Sequence, residues 1–462
     1  MGDTIAAIST PSGMGGIGIV RLSGPEAVVI ADRMFVSRKG KTPASFASYT
    51  VHYGDVICRK DEETEVVDEA LMTVMKAPKS YTCEDVVEIS CHGGSAAVNV
   101  ILQLALQLGA RLAGPGEFTK RAFLNGRIDL AQAEAVLDVI RAKTSIGLSV
   151  SEHQLKGELT RRLEGIRAEM MEIYVQLEAL VNFPDDKAEN SVLEGARKRL
   201  ADIREKMQVL LSTADQGRIL REGVKIVLCG KPNVGKSSLL NILLRQPRAI
   251  VSAIEGTTRD TIEELAQIEG IPFQIVDTAG ILNPRDEIET EAVRRSHLHM
   301  EEADLVLFLV DASVALSQQD RRLAEKLHDR DVIVVLNKID LEIQVSEKDL
   351  KKLFPESDIH PVSALTGEGI DTLRRQKILH HVLHGRRIEA REILLTNVRH
   401  IAALQKALGD VESAGCSSET DTPPEFISEY IKSAVQELDR ITGRDVDEDF
   451  IEQIFSQFCI GK

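Results

Sequence analysis

Gly230-Lys231-Pro232-Asn233-Val234-Gly235-Lys236-Ser237 decides how the middle of this chain is read. The stretch fits G-x-x-x-x-G-K-[ST]. It follows an apolar run at residues 225–229 and precedes a helical run at 239–244, so the strand–loop–helix context agrees with the motif. The glycines let the backbone curl so that its N–H groups converge on an anion at a helix N-terminus. Lys236 is placed to pair with the β- and γ-phosphates of a nucleotide, and Ser237 to ligate Mg²⁺. Asn233, Val234, Gly235 and Ser238 belong to the same loop.

Working outward, further short matches follow in order. Asp277-Thr278-Ala279-Gly280 ends an apolar run, where Asp277 can hold the Mg²⁺ shell and the Gly280 N–H can face the γ-phosphate. Asn337-Lys338-Ile339-Asp340 ends another. Asp340 offers two acceptor oxygens to N1–H and the exocyclic amine of guanine, a donor pair that adenine lacks. The stem of Lys338 can lie over the base. Ser363-Ala364-Leu365 completes the pocket, with the Ala364 N–H expected to face guanine O6. Any one of these is explained by an ordinary strand-end loop. Together, in this order and spacing, they imply GTP.

The first switch loop is expected about twenty residues beyond Ser237. There stand Ser252-Ala253-Ile254-Glu255-Gly256-Thr257-Thr258, followed by Arg259 and Asp260. Thr258 is the expected second hydroxyl on Mg²⁺. Arg259 reads either as an arginine finger in cis or as the partner of Asp260 in a surface ion pair. After Gly280 comes Ile281, which cannot orient water. The acidic run Asp286, Glu287, Glu289, Glu291 supplies candidates for that role, or is a solvated charged face.

Around this block the chain changes character. Residues 1–125 mix short β-rich runs (4–8, 17–22, 86–90) with glycine turns and an apolar helical stretch at 96–108, which reads as an α+β domain. Residues 126–220 carry apolar residues at helical spacing, as in Leu155-Leu159-Leu163-Ile166 and Leu200-Ile203-Met207-Leu210. Residues 221–375 alternate apolar strands (225–229, 273–276, 305–310, 332–336) with helices, the pattern of a parallel sheet covered on both faces. Helical periodicity returns over 376–462, broken at 412–425 by a stretch that reads as a loop. The expected fold is a multidomain α/β protein: an N-terminal α+β domain, an all-α domain, and a P-loop GTPase domain inserted into the latter. Two separate helical domains is the alternative.

Composition narrows the function classes. Across 462 residues the formal net charge is −16, a poor match to a protein that coats nucleic acid or anionic membrane, although a local basic patch can still hold RNA. The six cysteines form no C-x-x-C, which argues against a zinc cluster or a disulfide framework and for reduced thiols in the cytoplasm. No apolar run is long enough to span a membrane, and no secretory signal is expected. Cys459-Ile460-Gly461-Lys462 mimics a prenylation box, but Gly461 is not aliphatic. Gly13-Met14-Gly15-Gly16-Ile17-Gly18 satisfies G-x-G-x-x-G, yet the residues after it are β-rich, so a hairpin or close-packed turn is expected rather than a dinucleotide site.

Asn233 in the phosphate loop, Gly256-Thr257-Thr258-Arg259-Asp260, Ile281 and the terminal Phe458-Cys459-Ile460-Gly461-Lys462 resemble the MnmE (TrmE) family of tRNA-modification GTPases. The likeness extends through Pro115-Gly116-Glu117-Phe118-Thr119, Arg121-Ala122-Phe123-Leu124-Asn125 and Asp129-Leu130-Ala131-Gln132-Ala133-Glu134-Ala135. The resemblance implies a homodimer whose G domains pair, with K⁺ at the phosphates held by Asn233, Ser252, the Ile254 backbone and Thr257. It implies Glu289 as the water-orienting acid. It implies a flavoprotein partner, MnmG, in a heterotetramer that modifies carbon five of the tRNA wobble uridine. It also implies a tetrahydrofolate derivative, in 5-formyl or methylene form, on Arg21, Glu88, Arg127 and Lys462. On pattern alone Arg21 is an outward strand residue, and Cys459, between Phe458 and Ile460, reads as a buried structural thiol. The family resemblance makes Cys459 a candidate functional thiol. A GTP-dependent binding switch acting in ribosome assembly is the rival reading.

Overall fold

The computed structural model describes residues 2–60, 63–183, 186–244, 263–277, 300–385, 395–418 and 422–462. Chain contacts divide it into two units, Met1–Leu137 with Gln154–Ala168 and Lys432–Lys462, and Asp138–His153 with Glu169–Ile431.

The first unit is built on a seven-stranded sheet. Its strands are β1 (Ile5–Ile8), β2 (Ile17–Ser23), β3 (Phe35–Ser37), β4 (Thr50–Lys60), β5 (Glu63–Met75), β6 (Val86–His92) and β7 (Arg111–Leu112), in the order β3-β4-β5-β6-β2-β1-β7. Only β1–β7 is parallel. Alternation along the strands sends Ala6, Val20, Leu22, Met72, Val74 and Ile89 into one core beneath the helices Ala27–Met34 and Ser95–Gln107. A second apolar cluster joins Ala122, Leu130 and Leu137 to Ile451, Ile454, Phe455 and Phe458. It fixes the C-terminal helix Glu448–Phe455 beside the helix Glu117–Leu124. The glycine-rich segment before β2 leads into a strand, as expected. A Cβ at Gly18 would lie 2.1 Å from Val98 Cγ1, so close packing is why glycine stands there.

The second unit holds a six-stranded sheet. Its strands are β8 (Val224–Cys229), β9 (Glu263–Ile268), β10 (Ile271–Asp277), β11 (Leu305–Asp311), β12 (Val332–Asn337) and β13 (Asp358–Val362), in the order β13-β12-β11-β8-β10-β9. All pairs are parallel except the β9–β10 hairpin at the edge. The apolar runs are buried on both faces. Leu305, Leu307 and Leu309 join one core while Val306, Phe308 and Val310 join the other. Because β8 sits between β10 and β11, the chain order reverses on either side of it, and the loop after β8 opens at that switch point.

The long helices carry apolar stripes. Glu158–Asn182 buries Leu159, Leu163, Ile166, Met170, Ile173 and Leu177, spaced four and three apart. Asp186–Leu211 packs on Val398–Ser417, so helices on either side of the α/β block in sequence are neighbours in space. Two expectations need correction. The apolar run beginning at Leu155 is not one helix: Ser145–Leu155 ends there, Gly157 has φ +76°, and a new helix begins at Glu158. Of the supposed loop at 412–425, residues 412–417 are helical and Pro424 begins Pro424–Thr442. Proline at a first helical position needs no hydrogen-bonded N–H, so its presence marked a start and not a loop. No helix among the described residues is long and apolar enough to cross a membrane.

Candidate functional site

The phosphate loop leaves β8 and closes onto the helix Lys236–Leu244. Gly230 has φ +151° and Gly235 φ +98°; a Cβ at Gly235 would stand 2.2 Å from Asn337 Nδ2. Only glycine fits that approach. Asn233 is also left-handed, at φ +65°. Lys236 is 7% exposed, and its ammonium donates to the carbonyls of Gly230 and Lys231, each at 2.9 Å. Burial pulls its pKa below the usual lysine range, against the attraction of Asp277. A buried cation held by two loop carbonyls suits a polyphosphate. Val234 is buried and Ser238 lies exposed on the first turn.

Ser237 Oγ donates to Asp277 Oδ2 at 3.1 Å. A hydroxyl and a carboxylate this close supply the hard oxygen donors that Mg²⁺ prefers, so the pair fits that ion. The base end is joined through Asn337, which is 1% exposed. Its Nδ2 donates to the Val234 carbonyl at 2.8 Å, and its Oδ1 accepts the Ala364 N–H at 2.9 Å. One side chain therefore ties the phosphate loop to Ser363-Ala364-Leu365. The Ala364 N–H expected to face guanine O6 is directed at Asn337 in this arrangement. Ser363 is fully buried, and its hydroxyl donates to Asp340 Oδ1 at 2.5 Å. Leu365 is exposed.

Two contacts here were not anticipated from sequence. Lys338 donates to Asp311 Oδ2 at 2.6 Å, and Lys231 reaches Asp320 Oδ2 at 2.6 Å. Asp311 ends an apolar strand as Asp277 does, which was the available signal. Ser252, Ala253, Ile254, Glu255, Gly256, Thr257, Thr258, Thr278, Ala279, Gly280 and Glu289, with Arg259, Asp260, Ile281, Asp286, Glu287 and Glu291, lie outside the described residues.

A second cluster forms in the first unit. β2 and β6 pair Arg21 with Glu88, and their side chains meet at 2.8 Å. The C-terminal strap returns to the same place. Pro115 and Ile460 form a β-bridge, the Phe118 N–H donates to the Lys462 carbonyl at 3.2 Å, and Arg21 donates to the Gly461 carbonyl at 3.3 Å. Tyr81 lies under both cations, its ring 5.8 Å from the Arg21 guanidinium and 4.7 Å from that of Arg127, which also donates to the Tyr81 carbonyl. Tyr81 was missed from sequence. Arg21, Glu88, Arg127 and the strap carrying Lys462 are thus gathered, and cations beside an aromatic ring suit a flat anionic ligand such as a folate. Cys459 is exposed, not the buried thiol its apolar neighbours suggested. Its carbonyl, accepting from Gly116 N–H at 3.3 Å, holds the strap instead.

The model of the GTP-binding protein TrmE N-terminus matches residues 4–127, and that of the MnmE helical domain matches residues 130–459. The tRNA modification GTPase MnmE of Bacillus subtilis is 45% identical over 100% of both chains. This chain belongs to the MnmE family. The MnmE of Carboxydothermus hydrogenoformans is 44% identical, again over 100% of both chains. Among solved structures, Aquifex aeolicus Era bound to GDP·AlF4⁻ matches 40% of this chain and 66% of its own, at 32% identity and a TM-score of 0.29. As a member of the MnmE family, the chain is a GTPase.

Proposed function

We propose that this chain hydrolyses GTP and couples the turnover to modification of the tRNA wobble uridine at carbon five. It does so as a homodimer joined by the flavoprotein MnmG in a heterotetramer. The observation that carries the GTP reading is the double clasp of Asn337, which binds the phosphate loop and the Ser363-Ala364-Leu365 loop into one site. The names of the full-length relatives support the tRNA reading.

In this reading residues 221–375 are the G domain. Residues 126–220 and 376–462 make up the helical domain, and residues 1–125 the dimerisation and folate-binding domain. Lys236 neutralises the β- and γ-phosphates. Ser237 and Thr258, with Asp277 behind them, hold Mg²⁺. Asn233, Ser252, Ile254 and Thr257 hold K⁺, whose charge offsets the negative charge developing at the phosphates. Glu289 orients the attacking water. Arg21, Glu88, Arg127 and Lys462 bind the tetrahydrofolate derivative, a one-carbon source, beside the exposed Cys459.

Hydrolysis measured in KCl and in NaCl at equal ionic strength tests the scheme, with stimulation by K⁺ of at least about tenfold expected. Equal, slow rates in both salts would instead favour a binding switch.

A further inference from the structure

Lys338 is the one residue of Asn337-Lys338-Ile339-Asp340 with a left-handed backbone, at φ +68°. That conformation is uncommon for a side-chain-bearing residue and persists where neighbours enforce it. The Lys338 side chain runs to Asp311. Parallel pairing sets Asp311 opposite Asn337 across β11 and β12. The Lys338 ammonium donates to Asp311 Oδ2 at 2.6 Å. The other oxygen, Oδ1, accepts the Ser313 N–H at 2.9 Å and the Ser313 hydroxyl at 2.7 Å. The carboxylate is therefore oriented from one side by a turn and holds the lysine on the other. The turn itself is tied down, since Ala312 N–H donates to the Asn337 carbonyl and Gln344 N–H to the Ala312 carbonyl, both at 2.8 Å. Burial pushes the Asp311 carboxyl up, but the bonds from Lys338 and Ser313 outweigh it and keep the group below the usual carboxylate range. Its side chain is 13% exposed against 32% for Lys338.

We propose that Asp311 is a positioning residue of the guanine subsite: it pins the Lys338 ammonium so that the alkyl stem stands ready as a wall for the base. This rests on the GTP reading above. An unpinned lysine has a long, mobile stem, and ordering it on binding would weaken affinity. Asp311 acts before chemistry and touches no phosphate. Its loss falls on nucleotide affinity and release and leaves the hydrolytic step alone.

The test uses the full chain and a fluorescent guanosine diphosphate, with GTP turnover measured in parallel. Asp311→Asn is expected to raise Kd and the KM for GTP about tenfold, mainly through faster release, with kcat changed less than about twofold. In a Lys338→Met background the same change is expected to add nothing. Additive effects in that double variant, an unchanged Kd, or an equal fall in kcat would overturn the assignment. Should Asp311→Asn not fold, Ser313→Ala loosens the carboxylate from its other side. It is expected to move Kd about threefold in the same direction, and no change there overturns the assignment equally. A wild-type chain that binds no guanine nucleotide would sink the GTP reading itself. Wild-type binding with unaffected variants would sink the role of Asp311 alone.

Discussion

The carboxyl ends of the parallel sheet and the strapped face of the antiparallel sheet build their clusters in opposite ways. In the parallel sheet, Asp277 and Asn337 end their strands, while Lys236 follows its strand by seven residues and Ser363 by one. Parallel strands connected by crossovers all end on one edge, so topology alone gathers them. In the antiparallel sheet nothing in the local order of the chain unites the residues. Arg21 meets Glu88 through register, Arg127 arrives from beyond a helix, and Gly461 is 440 residues from Arg21. The first kind of site is written as motifs. The second is written as long-range contacts, and depends on each of them.

That contrast is sharpest at Asp340. If the base pocket is a motif-built site, changing one acceptor to a donor should redirect it without dismantling it. Asp340→Asn is expected to lower GTP affinity about 100-fold and to raise preference for xanthosine triphosphate, the loss being that of charge-assisted hydrogen bonds. Competition between the two nucleotides measures it. Full GTP preference in the variant would show that Asp340 does not face the base.

The strap should fail differently. Gly461 has φ +93°, and a Cβ there would lie 2.3 Å from the Ile8 carbonyl oxygen. Gly461→Ala must therefore move the strap, and with it the carbonyl that accepts from Arg21. Strain of this kind corresponds to about a tenfold or greater loss of affinity. Calorimetry with 5-formyltetrahydrofolate is expected to show that loss, while GTP affinity changes less. A parallel fall in both affinities would break the distinction between the two regions.

How much was legible follows the same line. The apolar strands of the second unit were readable because burial on both faces makes them continuous runs, as in Leu305–Asp311 and Val332–Asn337. The hairpin of β4 and β5 was not. It carries Asp55, Arg59, Glu65, Asp68 and Glu69, and its register slips between Val56 and Ile57, so its alternation is diluted. The edge strand Glu263–Ile268 opens on two glutamates for the same reason. Tyr81 was invisible because a lone aromatic in a turn has no periodicity to read. Cys459 misled because flanking apolar residues predict burial only inside a regular element, whereas the strap also exposes Ile460.

The smallest expected effect lies within the first unit, at Glu117. Its carboxylate accepts from Arg111 at 2.7 and 3.1 Å, from Gly114 N–H at 2.8 Å and from Arg121 at 3.0 Å. Burial raises its pKa, but these bonds outweigh burial and hold it below the ordinary 4.5. A depressed carboxylate contributes stability that is complete above the unfolded value and is lost as pH falls through the folded one. Glu117→Gln removes that contribution, so the variant should melt below wild type at about pH 6 and approach it toward about pH 3. Calorimetric melting of the nucleotide-free chain across that range reads the gap. A gap that stays constant with pH would mean that Glu117 matters for its shape alone and that Arg121, 1% exposed, draws its compensation from Asp3 and Glu84.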